Sequence, residues 1–371
     1  MRKINKDIQK IFKNFFYFIF SVFHGKIRGI ILAKNDPRIE ILFSDFENRI
    51  KYRVFKIKNA RLYTDRIQDT AIILDNKIVD GPSHQLRPIN NANIEKNIVF
   101  TKGTPRIKKK ITGTVLSLLT GGAGNDNYFH WIFDVLPRLK ICEQVMDLKK
   151  IDFFLLPGIE KKYQHESLDI FKIPREKRLS SKNFRHIVAD EIIITDHPYC
   201  LKNDADNEIE NIPTWISKWL KSVCIKKSEN IKSMQKKIYI DRKDSTANTR
   251  YLRSIINETE VKNMLKKEGF EFISFGDYSF KEQTEIINNS SVIVGLHGAG
   301  FANLCFCEPH TKVLELKSKT SGKVCENLAL ANNLNYKCII SDLIGENYDN
   351  QFGHIKVPLD LLKKTLHNDF K

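Results

Sequence analysis

The stretch "SVIVGLHGAGFANLCF", Ser291 to Phe306, is an apolar run that ends in a glycine-rich turn and resumes as a second apolar run. Four to eight apolar residues rich in β-branched side chains read as a strand buried on both faces, the kind that builds parallel sheets. The pattern repeats around it. "KKIYIDR" from Lys236 and "FEFISF" from Phe270 read as strands before it, and "KVLELK" from Lys312 and "YKCII" from Tyr336 as strands after it. Helical segments fill the intervals: "NETEVKNMLKKEG" from Asn257, "SFKEQTEIINNS" from Ser279 and "VCENLALANNL" from Val324. Asn257 with Glu260, and Ser279 with Glu282, have the spacing of a capping box at a helix start. This alternation predicts an α/β fold with a parallel sheet wound on both faces, which takes ligands at the carboxyl ends of its strands.

The turn after the central strand is "HGAG", His297 to Gly300. Glycines there let the backbone approach a ligand, and a helix starting just beyond presents free N–H groups and the positive end of its dipole to an anion. A lone Gly-x-Gly serves a tight turn equally well, so His297 carries much of the signal. Its bland alternative is a satisfied core histidine. Arg242, closing the strand "KIYIDR", points the same way, because a guanidinium fork at a strand's carboxyl end suits phosphate oxygens. Arg250 is a second candidate, whereas Arg253 fits a solvated helix face as readily.

The first half reads differently. Arg38 to Phe100 breaks into short alternating strands punctuated by Asp-Asn and Asp-Gly, a β-rich entry to a first domain. Then "GGAGNDNYFHWIFDVLPRLK", Gly121 to Lys140, leads into a predicted helix over Tyr128 to Met146, followed by the strands "IDFFLLP" and "EIIIT". His130 and Asp134 stand four apart on one helical face, while Trp131 and Phe133 read as core. The polar run "HPYCLKNDADNEIENIP" separates this layer from the amphipathic "TWISKWLKSVCIKK" and marks a boundary. The expected divisions are an aromatic and basic segment over 1–30, a first α/β domain over 31–205 and a Rossmann-like domain over 206–371.

Composition bounds what such a chain does. At 371 residues and 42% hydrophobic content, two packed domains are expected and disorder is excluded. Lys and Arg number 61 against 44 acids, a net charge of +17, so the surface favours anionic partners. Seven cysteines without a CxxC pair fit free thiols in a reducing, cytoplasmic setting. The N-terminal "IQKIFKNFFYFIFSVFHGKIRGIILAK" is too short in its apolar core to span a bilayer, which takes about 20 residues. With Lys10, Lys13, Lys26 and Arg28 around its aromatics it reads either as a helix lying on an anionic membrane or as a terminal helix packed on its own domain.

Taken in order, "NYFHWIFDVLPRL", "YIDRKDSTANTRYLRSIINETEV" and "VGLHGAGFANLCFCEPHTKVLEL" resemble glycosyltransferase family 61, whose bacterial members sit in capsule and surface-polysaccharide gene sets. The resemblance covers about Gly121 to Leu316. It implies a GT-B-like fold of two Rossmann-like domains facing a cleft, with a nucleotide-sugar donor bound mainly by the C-terminal domain. The implied reaction is an inverting transfer to a growing surface polysaccharide or related glycan, free or lipid-linked; the expected place is the cytoplasm, peripheral on the inner face of the cytoplasmic membrane where the N-terminal segment is an anchor. Such a transfer needs a base for the acceptor hydroxyl and charge to meet the departing diphosphate. His130 is then the expected base with Asp134 orienting it, although the reverse assignment and a purely structural pair stay open. Arg242, Arg250 and the turn His297, Gly298, Ala299 and Gly300 are the expected donor contacts. Asn303 would hydrogen-bond the nucleotide or cap locally, and Glu315 would meet a ribose diol or a neighbouring strand.

No cofactor and no metal are expected. "DAD", Asp204 to Asp206, mimics a metal-holding motif but sits in the polar run rather than at the end of a buried strand. The rival reading is a non-catalytic nucleotide- or nucleic-acid-binding protein with a Rossmann-like domain. Spread lysines and the lack of a recognisable nucleic-acid module speak against it. An inactive relative that assembles polysaccharide enzymes is the third.

Overall fold

A computed structural model describes residues 2–65, 69–85, 93–119, 127–202, 204–225, 236–243, 253–344 and 354–370. Arg250 and the glycines at 121, 122 and 124 lie outside the described residues. The chain divides into two compact units, Met1–Lys161 with Ile173–Glu208, and Lys162–Lys172 with Ile209–Lys371. It is mixed α/β.

Among the described residues the first unit carries an eleven-stranded mixed sheet. Its parallel part runs His186–Thr195, Lys109–Ser117, Phe153–Leu156, Arg178–Ser180. The rest is largely antiparallel, built from the short strands between Ile30 and Gln85, so a Rossmann-like layer accounts for only part of this sheet. His186–Thr195 is its hinge of pairing. One edge pairs in parallel with Lys109–Ser117, while the other pairs antiparallel with Arg61–Thr64 and then with Ile50–Lys58. The alternating apolar side chains Phe55, Ile57, Leu62, Ile187, Ile192 and Ile194 meet in one buried core, as half-buried strands must.

The second unit carries a five-stranded, all-parallel sheet ordered Phe270–Ile273, Lys236–Ile240, Ser290–Leu296, Lys312–Ser318, Asn335–Ser341. In chain order that is 2-1-3-4-5, a doubly wound sheet whose order reverses between its first and third strands. Register lines up Ile240, Gly295, Glu315 and Cys338 across the sheet near the carboxyl ends. Arg242 and His297 each lie two residues beyond that row, on either side of the switch point.

Two local expectations need correction. Ser279 forms the full capping box with Glu282 at the helix Phe280–Asn288, but Asn257 caps nothing with its side chain. Its amide instead exchanges two hydrogen bonds with the backbone of Val357, at 2.9 and 3.0 Å. The segment after the glycine turn, Ala299–Phe306, is a 3-10 helix rather than an α-helix, and opens with Phe301 N–H donating to the Gly298 carbonyl at 3.0 Å. Among the described residues no helix is long and apolar enough to cross a membrane.

Candidate functional site

In the first unit the helical segment Tyr128–Glu143 is not one regular helix. Tyr128–His130 leads into a π-turn over Trp131–Val135, and α-geometry resumes at Pro137–Glu143. Pro137 supplies the reason: it has no N–H for the carbonyl four residues back and its ring crowds that carbonyl, so the turn widens. Leu136 N–H accordingly reaches the Trp131 carbonyl, five residues back, at 3.2 Å. Trp131 and Phe133 are buried, as core residues.

The turn points His130 and Asp134 at each other. His130 Nδ1 lies 2.8 Å from Asp134 Oδ2; the carboxylate is fully buried and the ring 16% exposed. On the far side His197 Nε2 stands 3.4 Å from the same oxygen. His197 Nδ1 accepts from the N–H groups of Tyr199 and Cys200, at 3.3 and 3.1 Å, which fixes the neutral ring's proton on Nε2, facing Asp134. Burial drives the His197 pKa below the ordinary histidine value. Burial also pushes the Asp134 carboxyl up, but the two histidines outweigh it and hold its pKa well below the usual carboxylate range. For His130 burial opposes the charge, yet Asp134's charge and hydrogen bond prevail and raise the pKa. Asp134, ionised at neutral pH, thus holds Nδ1–H of the neutral His130 ring and leaves Nε2 as its accepting nitrogen.

Arg138 completes the frame. Fully buried, it donates from Nε to the Asp134 carbonyl at 2.9 Å and from one terminal nitrogen to Thr195 Oγ1 at 2.7 Å and to the carbonyls of Thr195 and Asp196. Burial lowers its pKa to about 10. It ties the helix to the end of the strand His186–Thr195. His197 also lines a cavity of about 710 Å³ whose walls include Lys34, Lys51 and Arg53.

In the second unit the switch point gathers basic groups on a glycine turn. The Arg242 guanidinium lies 3.6 Å from where a Cβ on Gly298 would stand, van der Waals contact that places the guanidinium against the turn. Arg242 donates to the Arg253 carbonyl at 3.3 Å, and Arg253 donates to the His297 carbonyl at 3.4 Å. Arg253 is half-buried here, not on a solvated helix face. His297 gives Nδ1 to Glu315, whose other oxygen takes the Tyr336 hydroxyl. Burial raises the Glu315 carboxyl, but His297 and Tyr336 hydrogen bonds, together with Lys317, reverse that and lower its pKa.

Of the residues singled out from sequence, His130 and Asp134 meet directly, and Arg242, His297 and Gly298 converge. Ala299 and Gly300 open the 3-10 helix beside them, and Gly300 brings the backbone close to Ile240. Asn303 is fully buried inside that helix. Glu315 is likewise fully buried, with both oxygens used inside the unit. His297, Glu315 and Cys325 offer ligand atoms within 4.8 Å of one another, but Glu315 already faces two donors and the Lys317 ammonium at 3.6 Å, which meets its charge without an added cation. Asp204 of the "DAD" run accepts from the side chain of Asn207 at 2.7 Å, within the turn before Ala205–Glu208. Sequence reasoning missed His197 and Tyr336 and ranked Arg253 below Arg242 and Arg250. His197 opens a run read as a polar linker, yet His197, Tyr199 and Cys200 are all buried; its only sequence signal was a histidine two residues after a strand.

A family model described as Glycosyltransferase 61 matches residues 128–314. Curated relatives match over shorter stretches. "EGF domain-specific O-linked N-acetylglucosamine transferase" of Gallus gallus is 32% identical over 89 residues, 23% of this chain and 17% of its own. The protein of that name from Bos taurus is 35% identical over 69 residues, 17% of this chain and 13% of its own. The chain spans less than a fifth of the length of either relative.

Proposed function

As the chain belongs to glycosyltransferase family 61, we propose that it moves a sugar from a nucleotide-sugar donor to a glycan hydroxyl with inversion at the anomeric carbon. The observation that carries this is the convergence of Arg242, Arg253 and the HGAG turn at the switch point of the doubly wound sheet, where such folds bind nucleotides. The acceptor hydroxyl gives its proton to His130 Nε2 as its oxygen bonds to the anomeric carbon. The bond from that carbon to the diphosphate breaks, and the nucleoside diphosphate leaves with its charge met by the arginines and the turn's N–H groups. Asp134 and His197 hold the base in its working tautomer, and Glu315 positions His297.

The proposal includes a GT-B-like arrangement with the donor on the second unit and the acceptor on the first. Its acceptor is a growing surface polysaccharide, free or lipid-linked, and its place is the cytoplasmic face of the membrane, reached through the aromatic N-terminal helix. A panel of nucleotide sugars tests it, read as nucleoside diphosphate release and product anomer by proton NMR. Turnover with an inverted anomer is expected from at least one donor, and Arg242→Ala should weaken nucleoside diphosphate binding far more than nucleoside binding. Retention of configuration, or equal losses for both ligands, sinks the mechanism.

A further inference from the structure

The N-terminal helix Arg2–His24 carries apolar residues on two sides of its described part, from Phe12 onward. Phe12, Phe16 and Phe20 recur every four residues and, with Tyr17, line a cavity of about 1100 Å³ in the first unit. Phe15, Phe18 and Val22 lie on the other side, 57%, 65% and 67% exposed, and of the cavity-lining residues Phe12 and Phe16 are themselves 61% and 50% exposed. The helix is pinned at its C-terminal end. Arg61 donates to the His24 carbonyl at 2.7 Å, and the His24 ring meets that of His186 edge-on at 4.7 Å. Gly103, at φ 58°, takes the left-handed conformation that favours glycine, and the Tyr17 ring lies 3.1 Å from where its Cβ would be.

The other wall of this cavity is basic. Lys102, Arg106, Lys109, Lys182 and Arg185 line it against one acid of the lining, Asp65. Lys182 pairs with Glu160 at 2.9 Å, Lys109 lies over the Phe184 ring at 4.4 Å, and Arg185 donates to the Thr64 and Asp65 carbonyls. Lys102 and Arg106 are exposed at the rim. Beside them Ile107 is 74% exposed, within the run "RIKKK" from Arg106 to Lys110.

We infer that this cavity holds the phosphate headgroup of an anionic phospholipid, with Ile107 and the outer face of the helix seated in the bilayer interface. The cations select the sign of the lipid. The exposed aliphatic side chains select a bilayer over a nucleic acid, because a base can stack on a phenyl ring but gains nothing comparable from Val22 or Ile107. A second copy of the chain is a poor occupant, since it would bring the same five cations against these. The inference rests on the membrane attachment proposed above and gives it a site and a lipid.

Co-sedimentation of the full chain with vesicles tests it. Vesicles containing phosphatidylglycerol should bind the protein well above pure phosphatidylcholine, and salt should weaken the binding. Each cation near an anionic surface strengthens binding by roughly fivefold, so Lys102→Glu with Arg106→Glu should weaken it by at least ~20-fold while nucleoside diphosphate affinity stays the same. Phe15→Ser with Phe18→Ser should weaken binding to both kinds of vesicle. Undiminished binding of the charge variant overturns the headgroup site. If the phenylalanine variant alone loses binding, the attachment survives without that site; if the wild type binds neither vesicle, both fall. Sugar transfer to a soluble acceptor reads the catalytic proposal independently of all three results.

Discussion

His130 and His297 each give Nδ1 to a buried carboxylate, Asp134 in the first unit and Glu315 in the second, so each ring keeps Nε2 as its proton-accepting nitrogen. Chemistry alone allows either to serve as base. Position favours the first, because the His297 carbonyl is held by Arg253 beside Arg242, which suits that turn to the donor's phosphates and leaves His130 for the acceptor. His130→Ala should therefore lower the transfer rate by roughly 10²–10⁴-fold with donor affinity nearly unchanged. The same change at His297 should act mainly on donor affinity, and the reverse outcome would hand the base to His297. The pH sign follows from the raised His130 pKa: the ring works neutral, so the rate rises with pH along a limb lying above the ordinary histidine value near 6.5. Asp134→Asn removes the raising influence and leaves burial, which should move that limb to lower pH while the rate falls less than in His130→Ala. Asp134 also bears on stability. Its pKa is depressed in the folded chain, so its contribution is present above about pH 4 and is lost as pH falls toward the folded value. The pair itself was legible from its four-residue spacing, whereas His197 was not, because nothing in a single sequence shows that "HPYC" folds back under the helix.

Elements were most legible where burial is two-sided. "SVIVGL" and "KVLELK" admit few structures other than a central parallel strand, and the alternating strands of the first unit follow from their period of two. Caps show where local reading stops. Asn257 with Glu260 and Ser279 with Glu282 look alike in the sequence, but the Asn257 amide is claimed by Val357, one hundred residues away. No window of local sequence contains that competition. The two sites should therefore respond differently in urea unfolding. Ser279→Ala loses an exposed cap and should cost about 1 kcal/mol. Asn257→Ala strands a buried N–H and carbonyl of Val357 and should cost about 1–3 kcal/mol. Equal and small losses would mean that Val357 finds other partners. The π-turn at Trp131–Val135 went unread, the expected helix running straight through Pro137: a proline signals a disturbance but can also end or kink a helix, and tertiary ties such as Arg138 to Thr195 decide which.

At the scale of the whole chain, length and composition point to two packed bodies, but not to the assignment of Lys162–Lys172 to the second unit. That segment is held by contacts far along the chain, with Glu166 accepting from Phe280 N–H at 2.7 Å and the Phe171 ring 4.9 Å from that of Trp219. Net charge raises a different question, because +17 attracts any polyanion and would blur a test of ligand identity made at one salt concentration. Salt dependence separates the two kinds of binding. A nucleic acid held by diffuse charge releases many counterions, so its affinity falls steeply with salt, by roughly 0.7 to 0.9 in log–log slope per phosphate contacted. In the proposed site a nucleoside diphosphate would engage only Arg242, Arg253 and the turn, through directed hydrogen bonds at the carboxyl ends of two interior strands, and so few charges give a shallow slope. Calorimetry from about 50 to 200 mM salt should find nucleoside diphosphate affinity changing only several-fold while a single-stranded oligonucleotide of ~10 residues loses orders of magnitude. Adding Arg242→Ala should weaken the first strongly and barely touch the second. An oligonucleotide affinity that survived salt and fell with Arg242→Ala would place nucleic acid at the switch point and remove the sugar donor from it.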